Sequence, residues 1–314
     1  MYIIDMHCDT ILWCYLKKRS LTENDGHIDL AKLKQGGCLA QCFALFIPTH
    51  QAAENDGITT GAYDTYKILL AEYRKALDEC KDSLRPALCA EDILKNKQEG
   101  FISAILTVED AVPVESKMER IGEFYSDGVR IMTLTWNYEN CMGFPNSKDP
   151  ELHMKGLKPF GIEAVRQMND LGMLVDVSHL SEGGFYDVAK YSSKTFVATH
   201  SCARALCSHQ RNLTDDQLRT LADCGGIAGI NFNGPFLVDD RPEIDTDAIV
   251  RHAQHMYNVA GIDTLAWGSD FDGIRSGYNY LLFDEILCKM SKVFTDDQLE
   301  KINNLNFMRV FSER

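Results

Sequence analysis

"FISAILTVE" (residues 101–109) is a run of nine mostly apolar and β-branched residues that ends on a carboxylate. It is too short to span a membrane and reads as a strand buried on both faces, the kind that a parallel sheet requires. Seven further runs of this kind recur: "YIIDMH" (2–7), "LAQCFALFI" (39–47), "VRIMTLTW" (129–136), "MLVDVSH" (173–179), "TFVATH" (195–200), "GIAGINF" (226–232) and "TLAWGSD" (264–270). Helical segments separate them, and no Pro/Ser linker or low-complexity tract intervenes. Eight strands alternating with helices predict an α/β fold, a closed (β/α)8 TIM barrel. An open doubly wound sheet is the competing architecture, but no GxGxxG follows the first strand.

The helices have recognisable faces and ends. In "YDTYKILLAEYRKALDEC" (63–80), Tyr66, Leu69, Leu70, Tyr73 and Leu77 form one apolar stripe with charges opposite. "TDDQL" occurs at Thr214 and at Thr295, each with Gln three residues after Thr, which predicts two capping boxes. The segments 157–172 and 247–261 both end at a glycine suited to a C-terminal cap. A chain of 314 residues fits one barrel domain over 1–314, with long loops at about 48–62 and 137–156. Loops of that length cover an active face or form an oligomer contact, so a homodimer is an allowed assembly.

Composition narrows the partners. A net charge of −14 disfavours nucleic acid, which needs a basic face to displace counterions. No apolar stretch approaches the roughly 18 residues of a membrane span. The first run is broken by Asp5 and Asp9, and its basic cluster (Lys17, Lys18, Arg19) follows it, the wrong order for a secretion signal. Eleven cysteines without a CxxC pair suit reduced thiols, so a cytoplasmic location is expected.

The strand ends carry the chemistry. The first run delivers His7 and, two residues further on, Asp9; the others deliver Glu109, His179, His200 and Asp270, with Asp272 beyond. In a (β/α)8 barrel these ends converge on one mouth. Imidazole with carboxylate is a ligand set for zinc and related divalent ions. Five such residues exceed what one tetrahedral zinc with an open position needs, and they suit two metals about 3.5–4 Å apart. A lone histidine at a strand end is ordinarily structural, and Glu109 alone could cap a helix, so the coincidence carries the signal. Cys8, between His7 and Asp9, is expected to turn away from them. His252 and His255 share a helix face without an HExxH context and are expected to be solvated.

"DMHCDT", "TVED", "DVSHLS", "ATHS", "QRNL" and "GSDFDG" occur in the order and spacing of the renal or membrane dipeptidase family, and "NFMRVF" resembles its C-terminal signature. The resemblance runs nearly end to end and implies a zinc peptidase acting on small dipeptides, including those with a C-terminal D-residue. It implies that His7 and Asp9 hold one Zn2+, that His179 and His200 hold the other, and that Glu109 and a hydroxide bridge them. It assigns acid/base duty to Asp270 and the substrate carboxylate to Arg211, with Arg204 in "HSCAR" a weaker match. A bridging hydroxide is available near neutral pH because each metal lowers the pKa of bound water. One departure stands out: where well-known members end the fourth strand in a histidine that polarises the substrate carbonyl, this chain has Trp136. Indole donates one hydrogen bond and carries no charge, so Trp136 is read as a substrate contact that gives a weaker oxyanion bond or walls the pocket. Two rival functions remain at this level: another binuclear barrel hydrolase acting on lactones, cyclic amides or phosphoesters, and a non-catalytic metal-binding barrel.

Overall fold

The computed structural model describes residues 1–314 and holds one parallel sheet of nine strands. These are β1 (Ile3–Cys8), β2 (Cys38–Phe46), β3 (Leu84–Pro86), β4 (Ile102–Glu109), β5 (Val129–Thr133), β6 (Leu174–Asp176), β7 (Val197–Ala198), β8 (Ile227–Ile230) and β9 (Leu265–Trp267). Their order is β2-β1-β9-β8-β7-β6-β5-β4-β3, and β2 also pairs with β4, which closes the ring. The eight predicted runs therefore form the closed TIM barrel, and β3 is an addition. It pairs with the start of β4, from Leu84↔Ile102 to Pro86↔Ala104, and β5 joins β4 only from Leu106 onward. "LRP" has no apolar run and ends in a residue that cannot donate to a ladder, so periodicity carried no sign of it.

Several strands stop short of their apolar runs because buried carboxylates take over the ladder donors. After β6, Oδ1 of Asp176 accepts the N–H groups of Ser178 (2.9 Å) and Thr199 (2.8 Å). After β9, Oδ1 of Asp5 accepts the N–H of Ser269 at 2.8 Å. Strict alternation also fails in β1, where Asp5 pairs with Gln41 and Cys8 with Phe43. Three steps on one strand against two on the other make a β-bulge, a device that re-aims a side chain next to a site. Cys8 does face away: it is fully buried in the apolar layer with Ile11 and Phe43, its thiol donating to Cys42 O at 3.4 Å.

The outer helices follow the predicted faces. Ala62–Glu79 buries Tyr66, Leu69, Leu70 and Tyr73, with Leu77 half-buried. Each fully buried leucine contributes about 1.5–3 kcal/mol. Both capping boxes form, at Thr214 with Gln217 and at Thr295 with Gln298. Pro159–Leu171 ends at Gly172 in the left-handed conformation (φ 75°), and Thr246–Ala260 ends at Gly261.

Met6, Ile105, Ile131, Leu174, Val197 and Ile227, from six strands, cluster with Phe307, Val310 and Phe311 of the C-terminal helix Asn306–Ser312. That helix, which carries the whole of "NFMRVF", thus packs against the apolar filling of the barrel. The loop at 48–62 contains the helix His50–Asp56, and that at 137–156 contains Pro150–His153. Asn140 ties the second loop down by donating to Asp110 Oδ1 (2.7 Å) and Leu134 O (2.8 Å). All eleven cysteines are free thiols, and no helix is long and apolar enough to cross a membrane.

Candidate active site

The barrel mouth opens into a cleft of about 540 Å³ lined by Asp9, Glu109, His179 and Asp270, with Phe46, Trp136 and Phe236 on its walls. Glu109 ends β4 at its centre. Its Oε1 lies 2.9 Å from His179 Nε2 and 3.4 Å from His200 Nε2, and its Oε2 lies 3.4 Å from His7 Nε2. His7 Nε2 is also 3.7 Å from Asp9 Oδ2 and 3.9 Å from Asp270 Oδ1. The Nε2 atoms of His179 and His200 face each other at 3.0 Å, and the rings of His7 and His200 stack at 3.9 Å. The six residues read from five strand ends therefore meet at one place. All are buried except Asp270, whose side chain is 14% exposed.

Local backbone geometry sets these side chains. His179 and Asp270 both adopt positive φ, 66° and 64°. Non-glycine residues pay a conformational penalty there, and such residues cluster at functional sites. Asn231, after β8, donates Nδ2–H to Asp270 Oδ2 at 2.9 Å and so leaves Oδ1 toward His7. Asn137, on the wall, accepts through Oδ1 from His179 Nδ1 at 3.1 Å. Gly273 is required by close approach: a Cβ there would lie 2.0 Å from Asp9 Oδ2.

The electrostatics fit a cation. Burial first, then the charge of Asp9, pushes Glu109 up to about 8, and burial likewise raises Asp270 to about 6. Burial opposes charge on His7, yet Glu109 and Asp9 outweigh it and hold this imidazole well above its usual range. A raised acid beside a raised base means that three carboxylates share too little positive charge. His179 and His200 are held well below the usual range, by burial and by the charges of Arg211 and His7, which favours the neutral imidazole, the form able to bind a metal. His7 Nε2 and Asp9 Oδ1 are buried without any hydrogen-bond partner. Orphaned polar atoms of this kind are costly unless something binds them, and the set of imidazole and carboxylate groups matches divalent metal ions. Two groups, His7 with Glu109 and His200, and His7 with Asp9 and Asp270, each bring three ligand atoms within 4.8 Å of one another.

The remaining expected residues are placed as follows. Trp136 lines the cleft, half-buried, its ring 4.8 Å from Phe46 and 6.2 Å from His179. Arg211 is buried behind His200, donating to His200 O (3.1 Å) and Ser201 Oγ (3.4 Å), with Nε unpartnered and the guanidinium 5.4 Å from the Phe236 ring. Arg204 is occupied elsewhere, on Glu182 Oε2 (2.8 Å) and Asn212 O (2.9 Å). Asp272 accepts from Thr10 Oγ1 (2.6 Å) and His27 N–H (2.7 Å), which pins the segments after β1. His252 is not solvated: it is fully buried, bonded to Ala203 N–H (3.1 Å) and Leu237 O (2.9 Å), because its helix face packs on loops over the barrel. His255 is half-buried against Asp215 Oδ1 at 2.7 Å. Asp176, Asn231, Asn137 and Gly273 escaped the sequence reading; the one available signal was a lone Asp inside the apolar run "MLVDV".

Comparison with known proteins agrees. The family model described as membrane dipeptidase (peptidase family M19) matches residues 1–314. An uncharacterized dipeptidase of Schizosaccharomyces pombe is 33% identical over 335 residues, covering 99% of this chain and 80% of that protein. A Klebsiella pneumoniae protein described only by its place in the pqqA 5' region is 36% identical over 247 residues, covering 69% of this chain and 90% of that one. The solved metallo peptidase of Rhodobacter sphaeroides, liganded with a phosphinate mimic of the dipeptide L-Ala-D-Ala, matches with a TM-score of 0.89 and 26% identity, over 100% of this chain and 99% of that chain. On a match that spans its whole length, the chain belongs to the membrane dipeptidase family (peptidase family M19), a family of metal-dependent hydrolases.

Proposed function

We propose that this chain is a binuclear zinc dipeptidase that cleaves dipeptides with a free C-terminal carboxylate, including those with a D-residue at that end. The observation that carries the reading is the position of Glu109, with one oxygen toward His179 and His200 and the other toward His7. A carboxylate so placed suits a bridge between one cation on His7 and Asp9 and a second on His179 and His200. Imidazole with carboxylate favours zinc. Divalent cations bound there supply a water of lowered pKa and polarise the scissile carbonyl.

The chain's own groups do the rest. Asn231 occupies Oδ2 of Asp270, so Oδ1 takes the proton of the attacking water and passes it to the leaving amine nitrogen, a step worth about 10²–10⁴ in rate. Arg211 is assigned to the substrate carboxylate, to which a guanidinium fork can donate two parallel hydrogen bonds. Its burial supports this, because the carboxylates of Asp270 and Glu109 act on it only at a distance and desolvation still dominates, a cost that a directly bound anion relieves. Trp136, Phe46 and Phe236 wall the cleft and give a substrate side chain apolar surface to rest on. The D-residue extension is supported by the dipeptide mimic bound to the Rhodobacter sphaeroides relative. We read the 314 residues as one barrel domain, free to pair as a homodimer, and the eleven free thiols support a cytoplasmic setting.

A panel of dipeptides with L- or D-residues at the C-terminal side, set against lactones and phosphoesters, tests the proposal. Hydrolysis confined to dipeptides, lost on chelation and restored by zinc, is the expected outcome. Turnover of lactones or phosphoesters with inert dipeptides would overturn it.

A further inference from the structure

We propose that Asp176, acting through the Thr199 hydroxyl, is a positioning residue that locks His200 in the tautomer whose Nε2 is free to ligate metal. The inference rests on the reading of His200 as a ligand. Asp176 lies fully buried at the end of β6 and accepts four hydrogen bonds. Oδ1 takes the backbone N–H groups of Ser178 (2.9 Å) and Thr199 (2.8 Å), and Oδ2 takes the hydroxyls of Thr133 (2.6 Å) and Thr199 (2.6 Å). The carboxylate thus ties β5, β6 and the end of β7 together directly beneath the histidines.

The decisive link is the Thr199 hydroxyl, which has a single proton. At 2.6 Å from a carboxylate oxygen that can only accept, the proton goes to Asp176. The same oxygen lies 2.8 Å from His200 Nδ1, so it must accept there, and Nδ1 must carry the hydrogen. Nε2 then presents a bare lone pair, 3.4 Å from Glu109 Oε1 and 3.0 Å from His179 Nε2. Asp176, Thr199 and His200 are at most 2% exposed, so no solvent exchanges the donor and acceptor roles. His179 is held differently, through Asn137 on the exposed cleft wall. One histidine is therefore oriented by a dry carboxylate–hydroxyl relay and the other by a rim side chain.

Thr199→Val removes the acceptor, and Asp176→Asn frees the hydroxyl proton to face Nδ1. Two readouts decide the matter: the imidazole nitrogen chemical shifts of His200 in metal-free protein, and Zn2+ affinity by chelator competition. The wild type is expected to hold the hydrogen on Nδ1. Both variants are expected to shift it toward Nε2 and to weaken Zn2+ binding by about 10–100-fold, the usual effect of removing a ligand's hydrogen-bond partner. Thr199→Ser, which keeps the hydroxyl, is expected to retain both properties. Variants that fold and keep the wild-type tautomer and affinity would overturn the proposal, as would a Thr199→Ser protein as weak as Thr199→Val. If Asp176→Asn does not fold, the two Thr199 variants decide alone. A wild type that binds no zinc would defeat the metal-centre reading, while the tautomer measurement would still judge the relay.

Discussion

A methyl group added at Gly273 would stand 2.0 Å from Asp9 Oδ2 and 2.8 Å from Asp270 Oδ1. Relief to the 3.4 Å at which ordinary contact begins requires a displacement of about 1.4 Å, shared between the added Cβ and the Asp9 carboxylate. Misplacement of a reacting group by about 1 Å costs on the order of 10²-fold in rate. Gly273→Ala is therefore expected to lower kcat/KM by at least about 100-fold, near 2.7 kcal/mol of transition-state stabilisation. The barrel itself should tolerate the change, because Gly273 is exposed and the atoms the added methyl meets are the Asp9 and Asp270 carboxylates, not the strands or the apolar core. Steady-state kinetics on a dipeptide at saturating zinc, with thermal melting alongside, separates the two effects. A Gly273→Ala enzyme with wild-type kcat/KM would refute the assignment of Asp9 and Asp270 to the reacting centre; loss of activity together with the fold would refute the local reading of the defect.

Other perturbations follow from the same geometry. Asp270→Asn should retain its metal and lose about 10²–10⁴ in turnover, checked by metal analysis beside kinetics. Asp9→Ala and His179→Ala should reduce zinc content as well as hydrolysis. His252→Ala should leave turnover alone yet destabilise the fold in denaturant titration, since Ala203 N–H and Leu237 O lose their partner at about 1–3 kcal/mol each. For metal-free protein, Glu109 raised from 4.5 to about 8 makes its ionisation increasingly costly across that range, and the raised His7 likewise loses its contribution as pH climbs. His179 and His200 are depressed, so their contribution stops changing above about 6.5. Melting temperature should therefore fall between pH 6.5 and 8 without metal, and zinc should abolish the fall; a rise would contradict these directions.

The barrel was legible because each of its eight strands is sandwiched between the interior and a helix, which forces an apolar run wherever a strand lies. β3 was invisible for the opposite reason: "LRP" needs no apolar character to pair with the first residues of β4. Strand ends were read too long at β6 and β9 because the sequence does not reveal that Asp176 and Asp5 will capture the next N–H groups. The convergence of His7, Asp9, Glu109, His179, His200 and Asp270 needed only the closed topology, which gathers strand ends at one rim. Asn137, Gly273 and Asp176 act through contacts across the chain, and spacing along it says nothing of those. His252 was misread because a helix face that looks polar in isolation is covered here by the segments at Ala203 and Leu237.

Titration of metal-free protein with Zn2+, followed at once by bound stoichiometry and by dipeptide hydrolysis, tests the two-metal dipeptidase most directly. Two ions per chain are expected, with hydrolysis appearing as the pair fills and Glu109→Gln losing the paired occupancy. Binding of a single ion with full activity, or hydrolysis that persists after complete metal removal, would contradict it.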